Sequence, residues 1–146
     1  MKYLKSFSVE LVREKSLPVE FDGYRINSPQ SVYDLFKPIL SNQPKEQFWV
    51  MLLNVKNAII GVAMISQGTV SASIVHPREV FQPAILSNAT GIIAVHNHPS
   101  GDSEPSPEDI QVTKRLAEAG EIVGMPLLDH VIVGDGFTSL KARGFF

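Results

Sequence analysis

The chain contains no cysteine. Disulfides, thiolate metal ligands and cysteine nucleophiles are thereby excluded, so any bound ion must rely on His, Asp, Glu and water. Nothing approaches the run of about 18 apolar residues that a membrane helix needs. Ser8, Glu10, Arg13 and Glu14 interrupt anything resembling an apolar signal core. An excess of positive charge is missing too: 13 Lys and Arg stand against 15 Asp and Glu, a formal net charge of -2. That balance gives no global reason to expect nucleic acid as a partner. A soluble, cytoplasmic protein without a membrane segment is the expectation. What is present is ordinary globular material: 146 residues, 44% hydrophobic and 19% charged, enough for one domain with its own core.

In Met1–Lys15 the large side chains Tyr3, Phe7, Val9 and Leu11 fall on odd positions, and this period of two predicts a half-buried strand. Leu17 to Asn27 reads as a linker, with turn signals at Pro18 and Asp22-Gly23. Residues 1–27 are therefore expected to be an N-terminal strand and linker, and residues 28–146 the domain proper. Ser28-Pro29 opens a helix carrying Val32, Leu35, Phe36, Ile39 and Leu40 at helical spacing, with a kink or stop near Lys37 because of Pro38. Phe48–Leu53 and Ala58–Ile65 read as a central hairpin, and Thr69–Val75 as a third neighbouring strand. A helix begins at Pro77 around His76, and another runs from Pro107 to about Ala119. Gly91–Val95, Asp129–Val133 and Phe137–Leu140 complete a set of strands mixed with three helices, an α/β sandwich.

The chemistry concentrates at His96-Asn97-His98-Pro99-Ser100-Gly101, with Ser106 and Asp109 just beyond. Side chains two apart on an extended chain point the same way, so both imidazoles leave the end of a buried strand facing one point. Asp109 waits in the first turn of the next helix. Two neutral imidazoles and one carboxylate hold zinc or a similar ion and leave a fourth position for water, the pattern of a catalytic rather than a closed structural site. Such water is acidified toward neutrality and needs a carboxylate to carry its proton. Glu46, just before the buried strand, fits that role; on spacing alone Glu79, Glu104 and Glu108 compete. Ser106 is placed to donate a hydrogen bond to an oxyanion.

This string, followed after six further residues by Ser-x-x-Asp, resembles the JAMM/MPN+ metalloprotease motif in its RadC-like branch. Val75-His76-Pro77-Arg78-Glu79 and Leu128-Asp129-His130 look like that branch as well, and the likeness extends from about Ser28 to Lys141. The resemblance implies a cytidine-deaminase-like mixed β-sheet flanked by about three helices, with Zn(2+) on His96, His98 and Asp109. It also implies Glu46 as general acid/base, Ser106 as oxyanion helper, and a peptide or protein as substrate. Asn97 departs from the deubiquitinating members, which usually carry a small hydroxyl residue there. The sequence has no room for the helix-hairpin-helix region of full-length RadC-type proteins, so it is expected to be the short form.

Blander readings accompany each of these. Ser106-Pro107-Glu108-Asp109 is equally a helix start, and the two roles are compatible. His76 reads as a cap or surface group, His130 as structural with a smaller chance of orienting a ligand, and Asn97 as a brace for its loop. Lys2, Lys5, Arg13 and Lys15 interleave with acids, as on a solvated strand face. An exposed N-terminal strand invites pairing across a homodimer. Rival functions are a non-catalytic interaction module that keeps the fold, and a DNA-processing factor, which would need a basic stripe that the sequence does not display.

Overall fold

The computed structural model describes residues 1–17 and 25–146. Along the chain follow α1 (Pro29–Leu40), β1 (Gln47–Leu53), β2 (Ile59–Gln67), α2 (Pro77–Leu86), β3 (Gly91–Asn97), α3 (Pro107–Val123), β4 (Leu127–Val133) and β5 (Phe137–Ser139). The strands form one five-stranded sheet in the order β2-β1-β3-β4-β5. β1 runs antiparallel to β2 and β3, β3 and β4 are parallel across the α3 crossover, and β5 returns antiparallel to β4. The mixed α/β sheet with three flanking helices is thus the one the sequence implied.

β1 lies inside the sheet because Gln-Phe-Trp-Val-Met-Leu-Leu is buried at every position, as a strand covered on both faces must be. Alternation then sorts its side chains between two layers. Phe48, Val50 and Leu52 join Ile92 and Ala94 beneath Val80 and Phe81 of α2 and Val112 and Leu116 of α3. Trp49, Met51 and Leu53 join Ile93 and Val95 beneath Val32, Leu35 and Phe36 of α1. Each fully buried Phe or Leu in these layers contributes roughly 1.5–3 kcal/mol. The same alternation carries past Ala94, so His96 leaves the strand on the α3 side.

Several expectations change. Residues 1–17 form no secondary structure and residues 1–16 are exposed, so the predicted N-terminal strand is absent. A period of two becomes a strand only where a neighbouring edge takes up its backbone hydrogen bonds, and none is paired with it among the described residues. Of the expected linker, Pro18 and Asp22-Gly23 fall outside the described residues. Thr69–Val75 is turn and irregular backbone rather than a strand. It does not extend the sheet beyond β2, and its Val70 N–H donates to the Glu46 carboxylate instead. Pro38 neither stops nor shortens α1, because it stands in the final turn on the exposed side. α3 continues beyond Ala119 to Val123 and ends at Gly124, whose φ of +80° supplies the left-handed cap. No helix among the described residues is long and apolar enough to cross a membrane.

Candidate metal centre

β3 and α3 meet where the site is built. α3 starts with a reciprocal capping box: the Asp109 N–H donates to Ser106 Oγ (3.1 Å), and the Ser106 N–H donates to Asp109 Oδ2 (2.9 Å). The helix-start reading of Ser106-Pro107-Glu108-Asp109 therefore holds, and the same carboxylate that closes the box also faces the histidines. Asp109 Oδ1 lies 3.1 Å from His96 Nε2, and Oδ2 lies 3.0 Å from His98 Nε2. The two Nε2 atoms are 3.1 Å apart.

The loop after β3 holds His98 in place. Its backbone N–H donates to the Val133 carbonyl (2.9 Å), and its Nδ1 donates to the Asp102 carbonyl (2.7 Å). A carbonyl accepts only, so Nδ1 carries the hydrogen and a neutral His98 presents Nε2 as a lone pair. Gly101 makes the turn possible with φ +90°, its backbone lying against Gly134 and Asp135. Behind His96, the Nδ1 is 2.7 Å from His130 Nε2, and His130 Nδ1 in turn meets the Thr113 hydroxyl. His96, Thr113 and His130 are all completely buried.

Glu46 closes the solvent side. Its Oε1 is 3.8 Å from His98 Nε2, while the Val70 N–H donates to Oε2 at 3.3 Å. The irregular loop after β2 thus orients this carboxylate, and Gly68 N–H to the Glu46 carbonyl (2.7 Å) anchors it further. Asn97 does more than brace its own loop. Its Oδ1 accepts from the Gln47 N–H (2.7 Å) and its Nδ2 donates to the Lys45 carbonyl (3.1 Å), gripping the backbone on either side of Glu46.

Ligand atoms of Glu46, His96 and His98 all lie within 4.8 Å of one another, a group able to hold a metal ion. The donor set fits a cation: two imidazole nitrogens and two carboxylates converge, and such atoms repel unless a positive charge sits among them. Electrostatics point the same way. Burial would push the Asp109 carboxyl up, but the close approach of His96 and His98 outweighs it and holds the group well below the usual carboxylate range. The Asp109 carboxylate beside it raises His98 above the ordinary histidine value against the opposing pull of burial. Full burial lowers His130 well below that value and keeps it neutral.

Of the sequence candidates, the structure brings together His96, His98, Asp109 and Glu46, with Ser106 beside them. An open groove of about 480 Å³ passes the cluster, lined by Glu46, Thr69, Val70, His98, Ser106 and Glu108 among others. Glu104 instead forms an exposed pair with Arg143 (2.7 Å), and Glu79 sits in the first turn of α2, away from the cluster. His76 occupies the position before α2 without capping it through its side chain. Thr113 belongs to no motif in the sequence. The available signal was its spacing of four residues from Asp109 on one helix face.

The family model for the RadC-like JAB domain matches residues 26–145. The chain is 51% identical over 140 residues to a UPF0758 protein of Caldanaerobacter subterraneus, covering 95% of this chain and 60% of that one. A UPF0758 protein of Methanosarcina mazei is 47% identical over 137 residues, covering 93% and 60% of the two chains. One from Shouchella clausii is 48% identical over 142 residues, covering 97% and 62%. The chain thus spans about three fifths of the length of the curated relatives it matches. It belongs to the RadC-like JAB family.

Proposed function

We propose that this RadC-like JAB domain, taken as residues 28–146, is a zinc-dependent hydrolase that cleaves an amide or isopeptide bond of a peptide or protein. The observation that carries the reading is the convergence of His96 Nε2, His98 Nε2 and the Asp109 carboxylate within about 3 Å of one another, with Glu46 on the groove side. His96, His98 and Asp109 would hold the ion. A divalent ion in that position supplies Lewis-acid polarisation and makes a water acidic enough to attack at neutral pH.

The remaining work falls to the chain's own residues. Glu46 faces the groove, so its carboxylate accepts the proton that the attacking water must lose. The water oxygen bonds to the carbonyl carbon, the carbon–nitrogen bond breaks, and Glu46 returns the proton to the departing amine. The products are a carboxylate and an amine. Ser106 Oγ already accepts from the Asp109 N–H, which leaves its own hydrogen free to stabilise the oxyanion. The groove past Thr69 and Val70 is where an extended segment of substrate would lie.

Elemental analysis of protein purified without added metal, beside the His98→Ala and Glu46→Gln forms, tests this reading together with a peptide and isopeptide cleavage screen. About one equivalent of zinc in wild type and in Glu46→Gln, almost none in His98→Ala, and cleavage only by wild type is the expected result. Absence of stoichiometric metal after zinc is supplied would overturn the hydrolase reading. Zinc binding with cleavage unaffected by Glu46→Gln would remove Glu46 from the mechanism.

A further inference from the structure

We infer that Thr113 and His130 form a buried hydrogen-bond relay that sets the tautomer of His96, so that His96 Nε2 meets the cluster as a lone pair. Thr113 and His130 are then positioning residues of the cation site. The inference rests on the reading of His96, His98 and Asp109 as that site.

The argument starts at a hydroxyl with a single hydrogen. Thr113 Oγ1 lies 2.7 Å from the backbone carbonyl of Asp109, one helical turn earlier, and a carbonyl can only accept. The hydrogen is directed there, so only lone pairs remain to face His130 Nδ1, its other partner. His130 Nδ1 must therefore carry a hydrogen. A neutral imidazole has just one N–H, which leaves His130 Nε2 bare, and it accepts from His96 Nδ1 at 2.7 Å. By the same rule His96 Nε2 is bare, 3.1 Å from Asp109 Oδ1. Phe48 seals the relay, its ring centroid 6.0 Å from that of His96 and 5.5 Å from that of His130. With all three residues fully buried, water offers no substitute partner.

The opposite register defines what the relay prevents. Were the Thr113 hydroxyl to turn toward His130 Nδ1, His130 Nε2–H would donate to His96 Nδ1, and His96 Nε2–H would donate to Asp109 Oδ1. The number of hydrogens would be the same, but the Asp109 carbonyl would lose its hydroxyl donor and one hydrogen would stand where the ion belongs. The threonine hydroxyl thus selects between a cluster open to a cation and one closed by its own proton. Outer partners of this kind characteristically change metal affinity by about 10- to 100-fold.

The test begins with long-range proton–nitrogen NMR of the metal-free wild type. Hydrogens on Nδ1 of both His96 and His130 are expected, and an Nε2–H form of either would overturn the relay. Zinc affinity measured by competition with a chelator then separates hydrogen bonding from packing. Thr113→Val, nearly the same shape, should weaken binding about 10- to 100-fold, while Thr113→Ser, which keeps the hydroxyl, should stay within about threefold of wild type. Unchanged affinity in Thr113→Val, or an equal loss in both variants, would overturn the proposal. If wild type binds no zinc while the Nδ1 hydrogens are found, the relay stands and the cation-site reading fails.

Discussion

On its α3 side the cluster is walled by His96, Asp109, Thr113 and His130, each at most 1% exposed and each hydrogen-bonded to another member. On its groove side stand Glu46 and His98, whose side chains keep 25% and 13% of their exposure. The inner wall is over-determined: moving one member strands another in a place water cannot reach, which resists distortion. The outer wall reaches solvent, and its geometry depends on backbone clamps, those of Val70 and Asn97 on Glu46 and that of Asp102 on His98. The contrast teaches a division of labour. Buried groups would fix where an ion sits, and accessible groups would meet a substrate and exchange protons.

The largest effects should come from one substitution on each wall, and they should differ in kind. Glu46→Gln is expected to lower hydrolysis by about 10²- to 10⁴-fold. It should leave zinc content unchanged and move stability by no more than about 0.5 kcal/mol. His96→Ala removes a fully buried ring and leaves His130 Nε2 without its partner. A stability loss of about 2–4 kcal/mol by urea unfolding is expected, together with loss of zinc. If Glu46→Gln also emptied the site of zinc, Glu46 would count as a ligand and the two walls would be one. Asn97→Ala should fall between. It orphans the Gln47 N–H and the Lys45 carbonyl, at a cost of about 1–3 kcal/mol. Turnover should fall while zinc affinity holds, since Asn97 touches the backbone of the outer wall and no ligand.

Legibility in the sequence followed the same boundary between local and non-local order. His96, His98 and Asp109 were readable because strand alternation, a short turn and a helix cap are all local rules. Glu46 was readable from the chain only as one of several acids, because its selection depends on β1 and β3 lying side by side. Thr113 and His130 were not assigned to the relay, since their meeting requires β4 to lie parallel to β3, a choice made by sheet order. The same gap explains Thr69–Val75. Its residues alternate well enough for a strand, yet it does not extend the sheet beyond β2, and the Val70 N–H went to the Glu46 carboxylate. The N-terminal stretch shows the converse, a strand-like pattern with no paired edge among the described residues.

The smallest expected effect sharpens the comparison by acting behind the inner wall without touching it. Asp129 braces β4 next to His130: its Oδ1 accepts from the His130 N–H (2.7 Å) and the Lys141 N–H (3.2 Å), and its Oδ2 accepts from the Ser139 hydroxyl (2.7 Å). Burial raises its carboxyl above the ordinary value, although these hydrogen bonds pull the other way. The folded state therefore holds this proton more tightly than the unfolded one does. Stability from this group is fully present below the unfolded carboxylate value of about 4 and is lost as pH rises through the raised folded value. Asp129→Asn keeps an oxygen for the two N–H donors and reverses only the Ser139 contact. Urea midpoints of the two proteins should therefore converge near pH 4, with the variant declining less toward pH 7, each pH marking an approximate end of the titration. Zinc affinity should not change, because β4 still presents His130 to His96. A variant that loses zinc would show that the inner wall extends through the β4 backbone to Asp129, beyond the side chains that line the cluster.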